Sequence, residues 1–229
     1  MLPALVFGIV AQILVKTRYA KYSKVASSRG LTGAEAARTV LEANGVSGVG
    51  IGAVAGELTD NYNPKDNCIY LSDGVFGTNS VAAVGIAAHE AGHAVQHAQG
   101  YSPIKVRTAI LPVCNLGAKI GPLLIIAGFI IAYAAESAAA YDIANTLYMV
   151  GIILFSAVAV FQLVTLPVEI NASRRAVRAL GDSGTLEGDE LKGAKKVLTA
   201  AALTYVAALA TSVIQILYYA TRFRPGNRR

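Results

Sequence analysis

Ile143-Ala-Asn-Thr-Leu-Tyr-Met-Val-Gly-Ile-Ile-Leu-Phe-Ser-Ala-Val-Ala-Val-Phe-Gln-Leu-Val-Thr-Leu-Pro167 contains no acidic, basic or histidine side chain. As an α-helix this stretch measures about 37 Å, more than the roughly 30 Å hydrocarbon core of a bilayer. It therefore reads as a membrane span, and Glu169 follows it with no polar spacer. Outward from it lie two more blocks long enough to cross, Gly117–Ala135 before it and Val197–Ala220 after it. The link between the first two blocks is short and acidic, with Glu136 and Asp142, which predicts a helical hairpin through the bilayer. A fourth block, Leu2–Val15, gives only about 21 Å of helix. It reads as an uncleaved anchor, with Lys16, Arg18 and Tyr19 able to snorkel at its end.

Composition agrees with that reading. Of 229 residues 54% are hydrophobic and only 15% charged, against about 25% charged in ordinary globular proteins. The mean hydropathy is +0.50. The net charge of +6 could suggest nucleic acid. The basic residues instead crowd the ends of apolar blocks, as the positive-inside rule requires, and neither a basic repeat nor an RNA-binding aromatic signature is present. Nucleic acid is excluded as a partner on that ground. Cys68 and Cys114 are isolated and form no C-x-x-C, which removes a cysteine-based zinc site and fits a reducing compartment.

The polar stretch Lys16–Lys119 is the only one large enough for a folded insert. Lys21–Asn44 reads as helical, with Thr32-x-x-Glu35 as a capping box and Asn44-Gly45 as a stop. Val46–Leu58 is rich in Val, Ile and Gly. Asn61–Pro64 and Asp66-Asn67 supply a turn before the short β-type run at Cys68–Leu71. Asp73–Asn79 reads as a loop, and residues 80–99 as a helix ended by Gly100. After Pro167, Glu169–Leu180 reads as a new basic helix stopped by Gly181, and Asp182–Glu190 as a loop. The expected organisation is an N-terminal membrane helix at 1–15, a catalytic insert at 16–116 and a transmembrane hairpin at 117–167. A helix and loop at 168–196, a C-terminal span at 197–220 and a basic tail at 221–229 complete it. The expected fold class is mainly α, a multi-pass helical membrane protein with a small α+β zincin-like region at the membrane surface.

All three histidines fall in His89-Glu-Ala-Gly-His93-Ala-Val-Gln-His97. The first five residues spell H-E-x-x-H, which on a helix sets His89 and His93 one turn apart on one face, within reach of one zinc ion. Glu90 stands beside them, placed to take a proton from the attacking water. His97 is a tempting third ligand, yet it lies about 12 Å along the axis from His89, too far to share a tetrahedral ion. Glu169 is the better candidate. Two spans separate it from the H-E-x-x-H helix, and an even number of crossings returns the chain to the same side of the membrane.

Further motifs occur in order: Leu58-Thr-Asp-x-Tyr62-x-Pro64, Leu71-Ser72, Thr165-Leu-Pro-Val-Glu-Ile-Asn-Ala-Ser173 and Ala201-Ala-Leu-Thr-Tyr-Val206. With the histidine cluster they resemble the YugP-type neutral zinc metallopeptidases of bacterial membranes over nearly the whole chain. The resemblance implies one catalytic Zn2+ held by His89 and His93, with Glu90 catalytic. The wider gluzincin pattern adds a ligand Glu, matched by Glu169, and an Asp four residues later, where this chain has Ser173. Asn171 or Ser173 would then orient an imidazole. Related zincins hold substrate along a strand edge, for which Cys68–Ser72 is the candidate. For the transition-state helper, Tyr62, Tyr70, His97 and Arg107 stay open.

The implied partners are the lipid bilayer and a membrane-associated protein or peptide substrate; no regulatory partner is identified. The catalytic side is expected to be cytoplasmic. Lys16–Lys119 carries ten Lys/Arg and Val168–Lys196 six, whereas the Glu136–Asp142 link has none. Arg222, Arg224, Arg228 and Arg229 oppose this if the last block spans. An intramembrane site-two-type protease would need an N-x-P-x-x-x-x-D-G motif that is absent here. A transporter would need paired charges within its spans. A non-catalytic metal-binding scaffold is the remaining alternative, and Glu90 argues against it.

Overall fold

The apolar blocks fold into helices longer than the blocks themselves. The computed structural model describes residues 2–222, so Arg224, Arg228 and Arg229 of the expected tail lie outside the described residues. The elements are α1 (Leu2–Tyr22), α2 (Gly33–Ala43), β1 (Gly50–Val54), β2 (Asn61–Asn63) and β3 (Cys68–Ser72), then α3 (Asp73–Phe76) and α4 (Val81–Ala98). Three long helices follow, α5 (Ser102–Ala134), α6 (Ala138–Asp182) and α7 (Gly188–Arg222). The class is thus mainly α with a small sheet, as expected. Among the described residues, α5, α6 and α7 are the helices long and apolar enough to cross a membrane; α1 is not one of them.

Four boundaries differ from the sequence reading. First, the helix expected over Lys21–Asn44 is two helices. Between them Ser27 N–H bonds Asn79 O and Val25 O accepts from Val81 N–H, so this backbone pairs with the approach to α4 instead of coiling. The capping box itself forms: Thr32 Oγ1 accepts from Glu35 N–H, and the Glu35 carboxylate accepts from Thr32 N–H at 2.8 Å. Second, Asn61–Asn63 is a strand, not a turn. Third, α3 occupies part of the expected loop Asp73–Asn79. Fourth, α6 passes through Pro167 without stopping and ends at Asp182, one residue past the expected stop at Gly181. A proline inside a helix costs about 3 kcal/mol. Beyond Pro167, Val168, Ala172, Ala176 and Leu180, spaced four apart on one face, are each fully buried and seat this part of α6 on the core.

The chain divides into two compact units. One contains Val106–Thr165, Tyr205 onward and the residues up to Gly8. Within it α5 and α6 lie close because small residues face each other: a Cβ at Gly128 would come 2.7 Å from Ala144 O, and one at Gly121 3.0 Å from Gly151 O. This is how helices associate in lipid, where apolar side chains gain nothing from leaving an apolar solvent. Leu123, Phe129 and Ile130 on α5 and Ile153 and Leu163 on α6 stay exposed.

The other unit comprises Ile9–Lys105 and Leu166–Thr204. Its sheet has the order β1-β3-β2, with β1 parallel to β3 (Gly50 opposite Cys68) and β2 antiparallel (Asn61 opposite Tyr70). Ile69 and Leu71 point into the core. Asp60 secures the end of β3 by accepting from Ser72 N–H at 2.8 Å and from its hydroxyl at 3.0 Å. The core centres on α4, whose Val81, Ala83, Val84, Ala87, Ala88, Ala91 and Val95 are fully buried. Its alanines and glycines let neighbours approach. A Cβ at Gly85 would meet Ala194 Cβ of α7 at 3.2 Å, and one at Gly92 would meet Ala172 O of α6 at 2.7 Å.

That last contact is with backbone, which cannot rotate aside. Gly92→Ala is expected to destabilise the protein by about 1–3 kcal/mol, as overpacking does. Gly77→Ala, with open space around its Cβ, is the control. Thermal unfolding of the full chain in detergent checks both, and equal melting temperatures would contradict the packing argument.

Candidate metal centre

Helix α4 starts at Ser80, whose hydroxyl accepts from Ala83 N–H at 3.2 Å. It ends where Gly100 turns left-handed at φ +67 and Tyr101 N–H returns to Gln96 O at 2.9 Å. Between these caps, most of the surface is small and apolar. His89, Glu90, His93 and Gln96 form its polar side, and all but His89 are buried.

One turn of helix brings the rings of His89 and His93 to a centroid distance of 4.7 Å, edge to face at 80°. Glu169, on α6 and 3% exposed, enters between them. Its Oε2 lies 3.2 Å from His89 Nε2 and 3.5 Å from His93 Nε2. Ligand atoms from the three residues all lie within 4.8 Å of one another. A tetrahedral ion with ligands at 2.0–2.1 Å separates those ligands by about 3.3–3.4 Å. The two nitrogen–carboxylate separations lie on either side of that value and the third separation is at most 4.8 Å, so two imidazoles and one carboxylate form a donor set that could hold a metal ion. His97 is not part of this group. It is exposed near the end of α4, its ring 6.0 Å from that of Tyr62 on β2.

The outer ring nitrogens have partners as well. His89 Nδ1 lies 3.1 Å from Ser173 Oγ, and His93 Nδ1 lies 3.0 Å from Gln96 Oε1. Ser173 is one turn beyond Glu169 on α6, so a hydroxyl stands where the gluzincin pattern has a carboxylate. Asn171 does not touch a histidine; it accepts from Gln96 and from Arg175. Gln96 was not singled out from sequence. The signal for Gln96 was a lone amide three residues after His93 in a helix otherwise lined with Ala and Val.

Tyr70 and Arg107 were the other candidate helpers. Tyr70 projects from the face of β3 opposite buried Ile69 and Leu71. Its hydroxyl donates to Asp66 at 2.7 Å, and that bond pushes its pKa up to about 12. Arg107 lies on α5 in the other unit. The expected substrate edge needs correcting too. With β1 on one side and β2 on the other, Cys68–Ser72 is the central strand, so its backbone groups are already paired.

Burial alone would raise the Glu169 pKa. The hydrogen bonds from His89 and His93 and their charge outweigh it, and the carboxyl is held well below the ordinary range. Burial likewise opposes a charge on His93, but the bond to Glu169 and the nearby Glu90 carboxylate raise its pKa above that of a free imidazole.

Comparison with known proteins gives a consistent picture. A family model described as "Putative neutral zinc metallopeptidase" matches residues 1–224. The chain is 42% identical over 223 residues to "Putative membrane protease YugP" of Bacillus subtilis (strain 168), covering 97% of this chain and 94% of that protein. No solved structure matches. The chain belongs to this zinc metallopeptidase family.

Zinc must displace the proton from His93 Nε2, and that imidazole keeps its proton to higher pH than a free one. Apparent zinc affinity should therefore climb with pH, about tenfold per unit while one proton is displaced, and level off above the raised His93 pKa. Competition titration with a chromophoric chelator measures this. A flat profile through the imidazole range would be incompatible with the site.

Proposed function

We propose that this chain is a membrane-bound zinc metalloendopeptidase that hydrolyses peptide bonds in membrane-associated proteins or peptides. One observation carries the reading. The buried Glu169 carboxylate oxygen meets the Nε2 atoms of His89 and His93 at separations close to two edges of a zinc tetrahedron, with Glu90 next to His89 on the same helix. His89, His93 and Glu169 would hold one ion, which when bound supplies a Lewis acid that acidifies water towards a pKa of about 7 and polarises the scissile carbonyl.

The chain's own side chains do the rest. Glu90 accepts the proton of the attacking water and returns it to the leaving amine. Glu169 stays ionised, and its negative charge balances part of the charge brought into a buried site. Ser173 and Gln96 hold the two rings at their outer nitrogens. An extended substrate backbone is assigned to the outer edge of β2, the strand that sets Tyr62 against His97 of α4.

Location follows from chain order and charge. Glu169 stands two residues after the 143–167 apolar block, which favours substrates at the bilayer surface. α5 and α6 supply two crossings between His89 and Glu169, and sixteen Lys/Arg flank the catalytic segments against none in the 136–142 link. The catalytic face is therefore assigned to the cytoplasm. The exposed apolar side chains of α1, among them Leu5, Ile9 and Ile13, are assigned to the membrane.

Glu90→Gln is expected to keep one zinc per chain and lose peptide hydrolysis by several orders of magnitude. Glu169→Ala is expected to lose the zinc itself. Metal analysis and a peptide-cleavage assay on the detergent-purified protein separate the two. Undiminished hydrolysis by Glu90→Gln would remove the mechanism, a zinc-loaded wild type without hydrolysis would support the non-catalytic metal-binding scaffold, and full zinc occupancy in Glu169→Ala would remove the ligand assignment.

A further inference from the structure

We infer that Gln96, oriented by Asn171 and Arg175, is a positioning residue that dictates which nitrogen of His93 carries the proton, leaving Nε2 free for the metal. The inference rests on the zinc site proposed above. It comes from the polarity of a chain of hydrogen bonds, not from their number.

An amide's oxygen and nitrogen have nearly the same shape, so only its neighbours decide which way it faces. The chain begins at Arg175, a guanidinium that can only donate. Its Nη1 donates to Gln99 Oε1 at 2.6 Å and its Nε to Asn171 at 2.8 Å. The Asn171 atom it meets must therefore be the oxygen. That same oxygen lies 3.0 Å from the Gln96 amide, so the Gln96 atom there must be the nitrogen. A second constraint agrees independently: this nitrogen lies 2.8 Å from Val168 O, a backbone carbonyl that can only accept. Both Gln96 N–H donors are thus committed to α6. The Gln96 oxygen is left facing His93 Nδ1 at 3.0 Å, and it can only accept. Nδ1 must carry a hydrogen in the neutral ring as in the protonated one, so the proton that a metal displaces, and that the neutral ring lacks, is the one at Nε2, 3.5 Å from Glu169 Oε2.

His89 provides the contrast. Its Nδ1 faces the Ser173 hydroxyl, which can donate or accept by rotating, so that contact prescribes nothing and the carboxylate of Glu169, 3.2 Å from Nε2, is left to bias the ring. A buried Gln could also be simple cement between α4 and α6. Cement would need the bonds, but it would be indifferent to which ring nitrogen of His93 is protonated.

The test uses the full chain in detergent, stripped of zinc and 15N-labelled at histidine, at a pH well above the imidazolium range. Ring nitrogen shifts report the tautomer, and a separate titration gives the zinc dissociation constant. Wild type should hold His93 in the Nδ1–H form. Gln96→Met should give a mixture of tautomers and weaken zinc about 10–100-fold, the usual cost of losing such a partner. Asn171→Asp keeps an acceptor for both Gln96 and Arg175, so it should retain the tautomer and the affinity, whereas Asn171→Leu should behave like Gln96→Met. Arg174→Gln removes a neighbouring charge without touching the chain of bonds and should change neither readout.

Should Gln96→Met not fold, Asn171→Leu carries the same comparison. An Nε2–H tautomer in wild type overturns the inference, as does wild-type zinc affinity in both apolar variants. Neither result would touch the role of Glu90, which stands or falls with hydrolysis by Glu90→Gln.

Discussion

The Glu169 carboxylate lies at 3% exposure in the unit that carries the histidines, and an ionised carboxylate taken out of water is tolerated only when opposite charge or strong donors replace the solvent. His89 and His93 meet that requirement, at 3.2 and 3.5 Å. Those distances in turn need α4 and α6 nearly in backbone contact. The contact exists because Gly92, within the histidine motif itself, has no Cβ to hold Ala172 away. The polar cluster and the small-residue seam are therefore one constraint viewed from two sides.

The same constraint explains the shape of α6. Its buried positions at Val168, Ala172, Ala176 and Leu180 keep the helix seated on the core, while Glu169 and Ser173, one turn apart, present their polar atoms to the histidines.

Local signals were legible wherever chemistry and periodicity coincide. The Thr32–Glu35 capping box, the ends of α4 at Ser80 and Gly100, and the one-turn spacing of the histidines depend on neighbours within a few residues. Glu169 was reachable by a different route, counting spans, because a membrane limits which segments can meet. Long-range pairing was not legible. Cys68–Ser72 has the composition of any half-buried strand, and nothing in it says that β2 will come from the supposed turn and make it central. Gln96 went unmarked because its partners Val168 and Asn171 are more than 70 residues away.

The distance along the chain between His89 and Glu169, 80 residues, has a temporal meaning. At a synthesis rate of about 5–20 residues per second, some 4–16 s separate the emergence of the two histidines from that of their carboxylate. During that interval the growing polypeptide carries both histidines of the cluster without their carboxylate. The cluster can close only after all of α5 and the apolar part of α6 have been made, so its assembly waits on the long apolar helices.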